Sequence, residues 1–187
     1  MNSTSEFLDP HRCCLFVVDP QERLMAAIHR ADRVVRNTVL MIHCAKTLGI
    51  PILSSTQYRK GLGSFVPELA ELLIDVPCAD KTEFNALANQ GVKQLVSQLP
   101  SDVDTFFLVG VEAHICVYQT AIGVFEAGYK PWVIADAVSS REKRHTALAL
   151  SRMQAMGMAV GPAEMVVYEL LGKAGTPEFK AVLPYLK

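Results

Sequence analysis

Six apolar residues in a row, Cys13-Cys14-Leu15-Phe16-Val17-Val18, run straight into Asp19 and Pro20. A run this short, unalternated and rich in β-formers, fits a strand buried on both faces. Burial on both faces needs a covering layer on each side, which points to helices above and below a parallel sheet. The rest of the chain repeats the pattern. PILSSTQ (51–57), TFFLVGV (105–111), PWVIADA (131–137) and MAVG (158–161) read as further strands. Helical stretches lie between them. One carries Val35, Val39 and Ile42 and is closed by Gly49 and Pro51. PELAELL (67–73) is short, and Val92, Leu95, Val96 and Leu99 form the i, i+3, i+4, i+7 stripe of another. Residues 117–127 are closed by Gly128, 142–156 turn Ala147, Leu150 and Met153 inward, and 163–171 form the last main helix. The expected fold is a Rossmann-like three-layer α/β/α arrangement with a central, mainly parallel sheet of about six strands. A single domain over residues 1–187 is expected to carry it.

Composition narrows the function. Half the 187 residues are hydrophobic, enough for a core that needs no staples. Lys and Arg number 18 against 19 Asp and Glu, a net charge of −1, with no basic block. A nucleic-acid partner, which needs clustered cations, is therefore not expected. No apolar run approaches the ~20 residues of a membrane span, so no membrane partner is expected. MNSTSEFLDPHR lacks the apolar core of a signal peptide. The five cysteines are odd in number, irregularly spaced and without Cys-x-x-Cys. Free thiols in a reducing, cytoplasmic setting fit that pattern better than disulfides or a metal knuckle.

Ligands of parallel α/β sheets bind beyond the carboxyl ends of the strands. Those ends bring forward Asp19–Glu22, Thr56–Tyr58, Glu112–Cys116 and Asp136–Ser140. Cys116 follows a strand and opens a helix. A helix N-terminus would depress its pKa and offer backbone N–H groups to an oxyanion. The same residue also reads as a small core side chain, as Cys13, Cys14 and Cys44 do. Asp19, at the mouth of the sheet, is placed to act as a general base toward a thiol, or to form an Asx turn with Pro20. Lys81 stands just before a helix, where a cation opposes the dipole. Near a thiolate and a carboxylate it would lower the thiol pKa and hold the aspartate. Otherwise it is a solvated loop lysine, with Asp80 or Thr82 capping the helix. His114, two residues before Cys116, invites a dyad, although neighbours two apart seldom face each other. His29, His43 and His145 fall in helices at solvated positions. GLGSFV (61–66) lacks the third glycine of a dinucleotide fingerprint and does not follow the first strand. Neither a phosphate loop nor a Gly-x-Ser-x-Gly elbow occurs.

Asp19, Lys81 and Cys116 stand in the motifs LFVVDPQERL, DKTEFNAL and LVGVEAHICVYQTA, followed by IADAVSSR. In these the chain resembles the isochorismatase-like cysteine hydrolases over nearly its whole length. It is most similar to the branch of isochorismatase-domain-containing proteins, to which STQYRKGLG and PEFKAVLPYL also belong. The resemblance implies a triad: Asp19 as general base, Lys81 as its cationic partner and Cys116 as nucleophile. It implies a non-proline cis peptide at Val111–Glu112 that aims the N–H groups of Glu112 and Cys116 at an oxyanion. It further implies a pocket drawn from Gln21, Gln57, Tyr58, Ala113 and His114, a small-molecule substrate and a homo-oligomer.

The departures are informative. Relatives that hydrolyse nicotinamide carry an aspartate and histidines after the second strand, which hold a metal. Here that stretch reads TQYRKGLGSF, so neither a metal nor another cofactor is expected, and an anionic substrate group is favoured. Many relatives have threonine where Ala113 stands, which removes a hydrogen bond. Isochorismatases proper, which cleave a vinyl ether, usually lack the cysteine. The expected activity is hydrolysis of a small amide or related C–N bond through a thioester. Vinyl-ether hydrolysis and a non-catalytic, redox-sensing oligomer using Cys116 stand as alternatives.

Overall fold

The computed structural model describes residues 7–186. Part of the stretch on which the signal-peptide expectation rests, residues 1–6, lies outside the described residues.

Six strands form one sheet: β1 (Cys13–Val18), β2 (Ile52–Gln57), β3 (Cys78–Lys81), β4 (Thr105–Val111), β5 (Lys130–Ser139) and β6 (Ala159–Gly161). Their order is β3-β2-β1-β4-β5-β6, and every pairing is parallel. The order reverses direction between β1 and β4, which makes their carboxyl ends the topological switch point. The helices are α1 (Glu22–Met25), α2 (Ala31–Leu48), α3 (Arg59–Leu62), α4 (Pro67–Ala70), α5 (Gln90–Ser97), α6 (Tyr118–Glu126), α7 (Lys143–Ala155), α8 (Ala163–Leu171) and α9 (Pro177–Val182).

Strand periodicity explains the two cores. Along β1, Cys14, Phe16 and Val18 face one layer, where Val92 of α5, Ala121 and Val124 of α6 and Met153 of α7 meet them. Cys13, Leu15 and Val17 face the other, against Leu40, Met41 and Ile42 of α2, Val166 and Val167 of α8 and Val182 of α9. All six β1 residues are buried, as the uninterrupted apolar run requires.

Four details differ from the sequence reading. β3 was not expected. Its residues CADK alternate exposed and buried at the sheet edge and lack β-branched or aromatic side chains, so no periodic signal marks it. Lys81 therefore ends a strand and does not precede a helix. The caps downstream are Asn85, which accepts from Leu87 N, and Asn89, which accepts from Gly91 N and Val92 N. On α7 the buried stripe is Thr146, Ala149 and Met153, while Ala147 faces solvent. Threonine reads as polar, yet Thr146 is buried with its hydroxyl unpaired. His29 lies in an exposed turn, and His43 and His145 are half-buried, His43 stacked on Tyr185 and His145 tilted against His114. Among the described residues no helix is long and apolar enough to cross a membrane.

Candidate active site

The carboxyl ends of β1, β2, β3 and β4 supply one polar cluster inside an apolar sheet. Asp19 leaves β1 in a left-handed conformation, φ 53°, which aspartate tolerates better than most residues. Its backbone N–H still donates to Ser55 O at 3.1 Å, so the turn stays tied to β2. Its side chain is fully buried. One oxygen accepts Ser55 Oγ at 2.7 Å and the other accepts Lys81 Nζ at 2.6 Å.

Lys81 reaches this carboxylate from the far edge of the sheet. Its register partner is Gln57. The ammonium, also fully buried, donates to Gln57 Oε1 at 2.7 Å as well as to Asp19. A charged pair at this depth needs hydrogen-bond partners beyond the ion contact itself, because desolvation of each ion costs several kcal/mol. The hydroxyl run Ser54-Ser55-Thr56 on β2 contributes here. Ser55 holds Asp19, and Thr56 Oγ1 donates to Asp80 Oδ1 at 2.9 Å.

Cys116 arrives from β4. Gly110, φ 115°, allows β4 to press against β1: a Cβ on it would sit 1.9 Å from Val18 O. The Val111–Glu112 peptide bond is cis. The chain then enters a π-helical turn, Ala113–Val117, before α6. Cys116 therefore sits inside a wide turn ahead of the regular helix. Its Sγ lies 4.0 Å from Gln57 Oε1.

The sequence reading expected a depressed thiol pKa. The structure reverses the direction: Cys116 is pushed up to about 12. Burial is the largest cause, followed by the Asp19 charge; Lys81 pulls the other way. The proximity of the Asp19 carboxylate raises it further, and that of the Glu112 backbone lowers it. A dipole argument from a helix start omits the loss of water around the sulfur, and that loss dominates. The resting site is thus a neutral thiol beside a buried Asp–Lys pair. The only cysteine exposed among the five is Cys78.

The turn after β4 is clamped from β5. Glu112 Oε2 accepts the backbone N–H of Arg141 at 3.1 Å and its Nε at 3.2 Å. His114 Nδ1 lies 2.9 Å from Ser140 Oγ. His114 therefore faces Ser140 and His145, and no bond joins it to the thiol. Of the other expected pocket residues, Ala113 is buried and Tyr58 is exposed at φ 40°. Gln21 Oε1 accepts the backbone N–H of Gln57 at 2.7 Å, and its Nε2 donates to Gly63 O at 2.8 Å. Ser55 and Arg141 were not anticipated, whereas Ser140 closes the expected strand-end segment Asp136–Ser140. Consecutive hydroxyls in an otherwise apolar buried strand were the available signal for Ser55.

A cavity of about 550 Å³ lies at the opposite, amino edge of the sheet, bordered by Arg12, Asp104, Lys130, Trp132 and Met158. It shares none of these residues with the cluster around Cys116. Among the described residues no three His, Cys, Asp or Glu side chains gather where they could hold a metal ion.

Residues 13–165 match the family model described as isochorismatase domain. Isochorismatase domain-containing protein 2 of Xenopus laevis is 36% identical over 168 residues, covering 90% of this chain and 80% of the relative. Secreted isochorismatase effector Isc1 of Phytophthora sojae is 34% identical over 183 residues, covering 96% and 87%. The solved structure of MAR1 ribonuclease from Caenorhabditis elegans superimposes with a TM-score of 0.88 at 32% identity, over 97% of this chain and 92% of that one.

Proposed function

The chain belongs to the isochorismatase family, a family of hydrolases, and from that premise we propose that it cleaves an amide or related C–N bond of a small molecule through Cys116. The observation that carries this reading is the neutral thiol set against a buried carboxylate–ammonium pair. A thiol with its pKa pushed up to about 12 is almost wholly protonated at neutral pH, so it needs a base at the moment of attack.

In the proposed cycle Asp19 takes the thiol proton as sulfur bonds to the substrate carbonyl carbon. The carbonyl π electrons move to oxygen, where backbone N–H groups of Glu112 and Cys116 receive the oxyanion. Lys81 offsets the charge gathered around sulfur. The intermediate collapses, the C–N bond breaks and the amine leaves with the proton from Asp19. Asp19 then takes a proton from water as the water oxygen attacks the thioester carbonyl, the C–S bond breaks, the acid leaves, and Asp19 returns the proton to Cys116 Sγ.

The substrate we propose is a small molecule. The C. elegans structure carries the name of a ribonuclease, but a net charge of −1 offers no footprint for a polyphosphate chain. Tyr58, Arg59 and Lys60 follow β2, and two of them are cations, which disfavours a metal and favours an anionic substrate group. We place one hydrolase domain over residues 1–187, in a reducing, cytoplasmic setting that suits its free thiols. Exposed Leu148, Met165 and Tyr168 fit a homo-oligomer, which light scattering on the purified protein checks.

The deciding experiment is incubation with an amide library, read as product formation and as an acyl adduct by intact mass. Turnover that disappears in Cys116→Ala, with the adduct mapped to Cys116 in the wild type, supports the reading. Turnover retained by Cys116→Ala sinks it and returns vinyl-ether hydrolysis to first place. Loss of activity on dialysis against a strong chelator would overturn the metal-free assignment.

A further inference from the structure

Gln57 has no part in the cycle above, yet its side chain is fully committed. Its Oε1 accepts Lys81 Nζ at 2.7 Å and lies 4.0 Å from Cys116 Sγ. Its Nε2 donates to Thr82 O at 2.8 Å, which fixes the direction of the oxygen. Its backbone N–H is held by Gln21 Oε1 at 2.7 Å. The residue is buried, and its amide oxygen stands between the ammonium and the thiol. We propose that Gln57 is a positioning residue, whose amide oxygen holds the Lys81 ammonium beside Asp19 as a second acceptor that cannot itself take a proton. Asp19 is thereby left as the one base available to the thiol. This inference rests on reading Asp19, Lys81 and Cys116 as the reacting set.

The chemistry of the amide is what matters. An ammonium has three N–H groups, and Asp19 and Gln57 occupy two of them. The third remains for developing thiolate or oxyanion charge. A carboxylate at position 57 would compete for Lys81 and add negative charge near sulfur, disfavouring the thiolate. An apolar side chain there would remove the acceptor from the thiol and free a second N–H toward sulfur, favouring the thiolate. The charged groups that bear on the thiol are Asp19 at the end of β1 and Lys81 at the end of β3. Glu112, on the turn after β4, meets the sulfur through its backbone and gives its carboxylate to Arg141.

Iodoacetamide alkylation of Cys116 as a function of pH, read on the Cys116 peptide by mass spectrometry, tests this without any substrate. The proteins are the full-length wild type, Gln57→Glu, Gln57→Met and Asp19→Asn, each checked for a cooperative melt. Gln57→Glu is expected to alkylate at least about tenfold more slowly at pH 8, its profile displaced upward by about one unit or more. Gln57→Met is expected to move the profile downward. Opposite signs are the signature, because mere loosening of the fold would speed alkylation in both. If Gln57→Met does not fold, the slowing in Gln57→Glu decides alone. A Gln57→Glu rate equal to or above wild type, with Asp19→Asn displaced, overturns the role of Gln57 and spares the triad. An Asp19→Asn profile identical to wild type overturns the triad reading itself.

Discussion

Two lysine–aspartate pairs sit at opposite edges of this sheet with nearly the same geometry. Lys81 meets Asp19 at 2.6 Å at the carboxyl edge, and Lys130 meets Asp104 at 2.7 Å at the amino edge. Both side chains of the first pair are fully buried, whereas those of the second are 69% and 24% exposed. Asp104 also takes Arg12, so it ties together the starts of β1, β4 and β5. The distance is the same and the solvent is not. Water weakens the amino-edge pair to a tether, while its absence makes the carboxyl-edge pair expensive to hold and costly to break. A buried pair of this kind is weak evidence for stability, and its place at the switch point fits the chemistry proposed for Cys116.

The largest expected effect comes from breaking the buried pair on one side. Lys81→Met leaves Asp19 uncompensated and should destabilise by about 3–5 kcal/mol in denaturant unfolding. Under the proposed mechanism it also lowers turnover at least ~10²-fold. Removing both charges sharpens the point: Asp19→Asn with Lys81→Met should recover much of the lost stability and none of the turnover. Recovery of activity in the double variant would show that the pair serves packing alone.

Lys130→Met provides the matched control. It should cost under about 1 kcal/mol, diminish further in high salt and leave turnover unchanged. A loss comparable to Lys81→Met would collapse the contrast between the edges.

Acidity separates the two edges more finely. Burial alone would raise the Asp104 pKa, but the hydrogen bonds from Lys130 and Thr105 and the nearby cations outweigh it and hold the carboxyl below its usual range. A depressed folded pKa contributes stability above the unfolded value near 3.8 and loses it as pH falls through the folded value. Wild type and Asp104→Asn should therefore keep a constant difference in melting temperature from pH 7 to 5 and converge only below about 3.8. The smallest effect concerns His114. Burial pushes its pKa down; Glu112 and Glu142 raise it, His145 and Arg141 lower it, and the net direction is down. The neutral ring is favoured in the fold, so acidification below the unfolded value of 6.5 erodes stability. His114→Gln should flatten that slope slightly between pH 6.5 and 5 in thermal melts.

The same contrast explains what was legible in the sequence. β1 announces itself because burial on both faces leaves no polar alternation, and α8 falls on the expected residues 163–171, between Pro162 and the left-handed Gly172. β3 stays silent because an edge strand needs only alternate residues buried, and one of those is a lysine, a residue almost never buried unless paired. The burial of Lys81 follows from Asp19, 62 positions away, and no local pattern carries that distance. For Cys116 a position at a strand–helix junction was readable, but the direction of its pKa shift depends on how much water the neighbouring strands exclude. Arg141 was in plain view within IADAVSSR, yet its bond to Glu112 exists only because β5 runs beside β4.

The strand order also sets a timetable. β1 pairs with β2 on one side and β4 on the other, and β4 begins at Thr105, far behind β1 in order of synthesis. A ribosome has therefore delivered Asp19, Gln57 and Lys81 well before the strand that closes β1 and the cysteine that follows it. Until then the β1 backbone is an open edge of buried-type residues, the kind of template on which chains pair with one another. Residues 105–111 cover that edge, and the turn that follows them carries the thiol to Asp19 and Lys81. The moment the chain stops being vulnerable to its neighbours is the moment Cys116 first meets the buried Asp19–Lys81 pair.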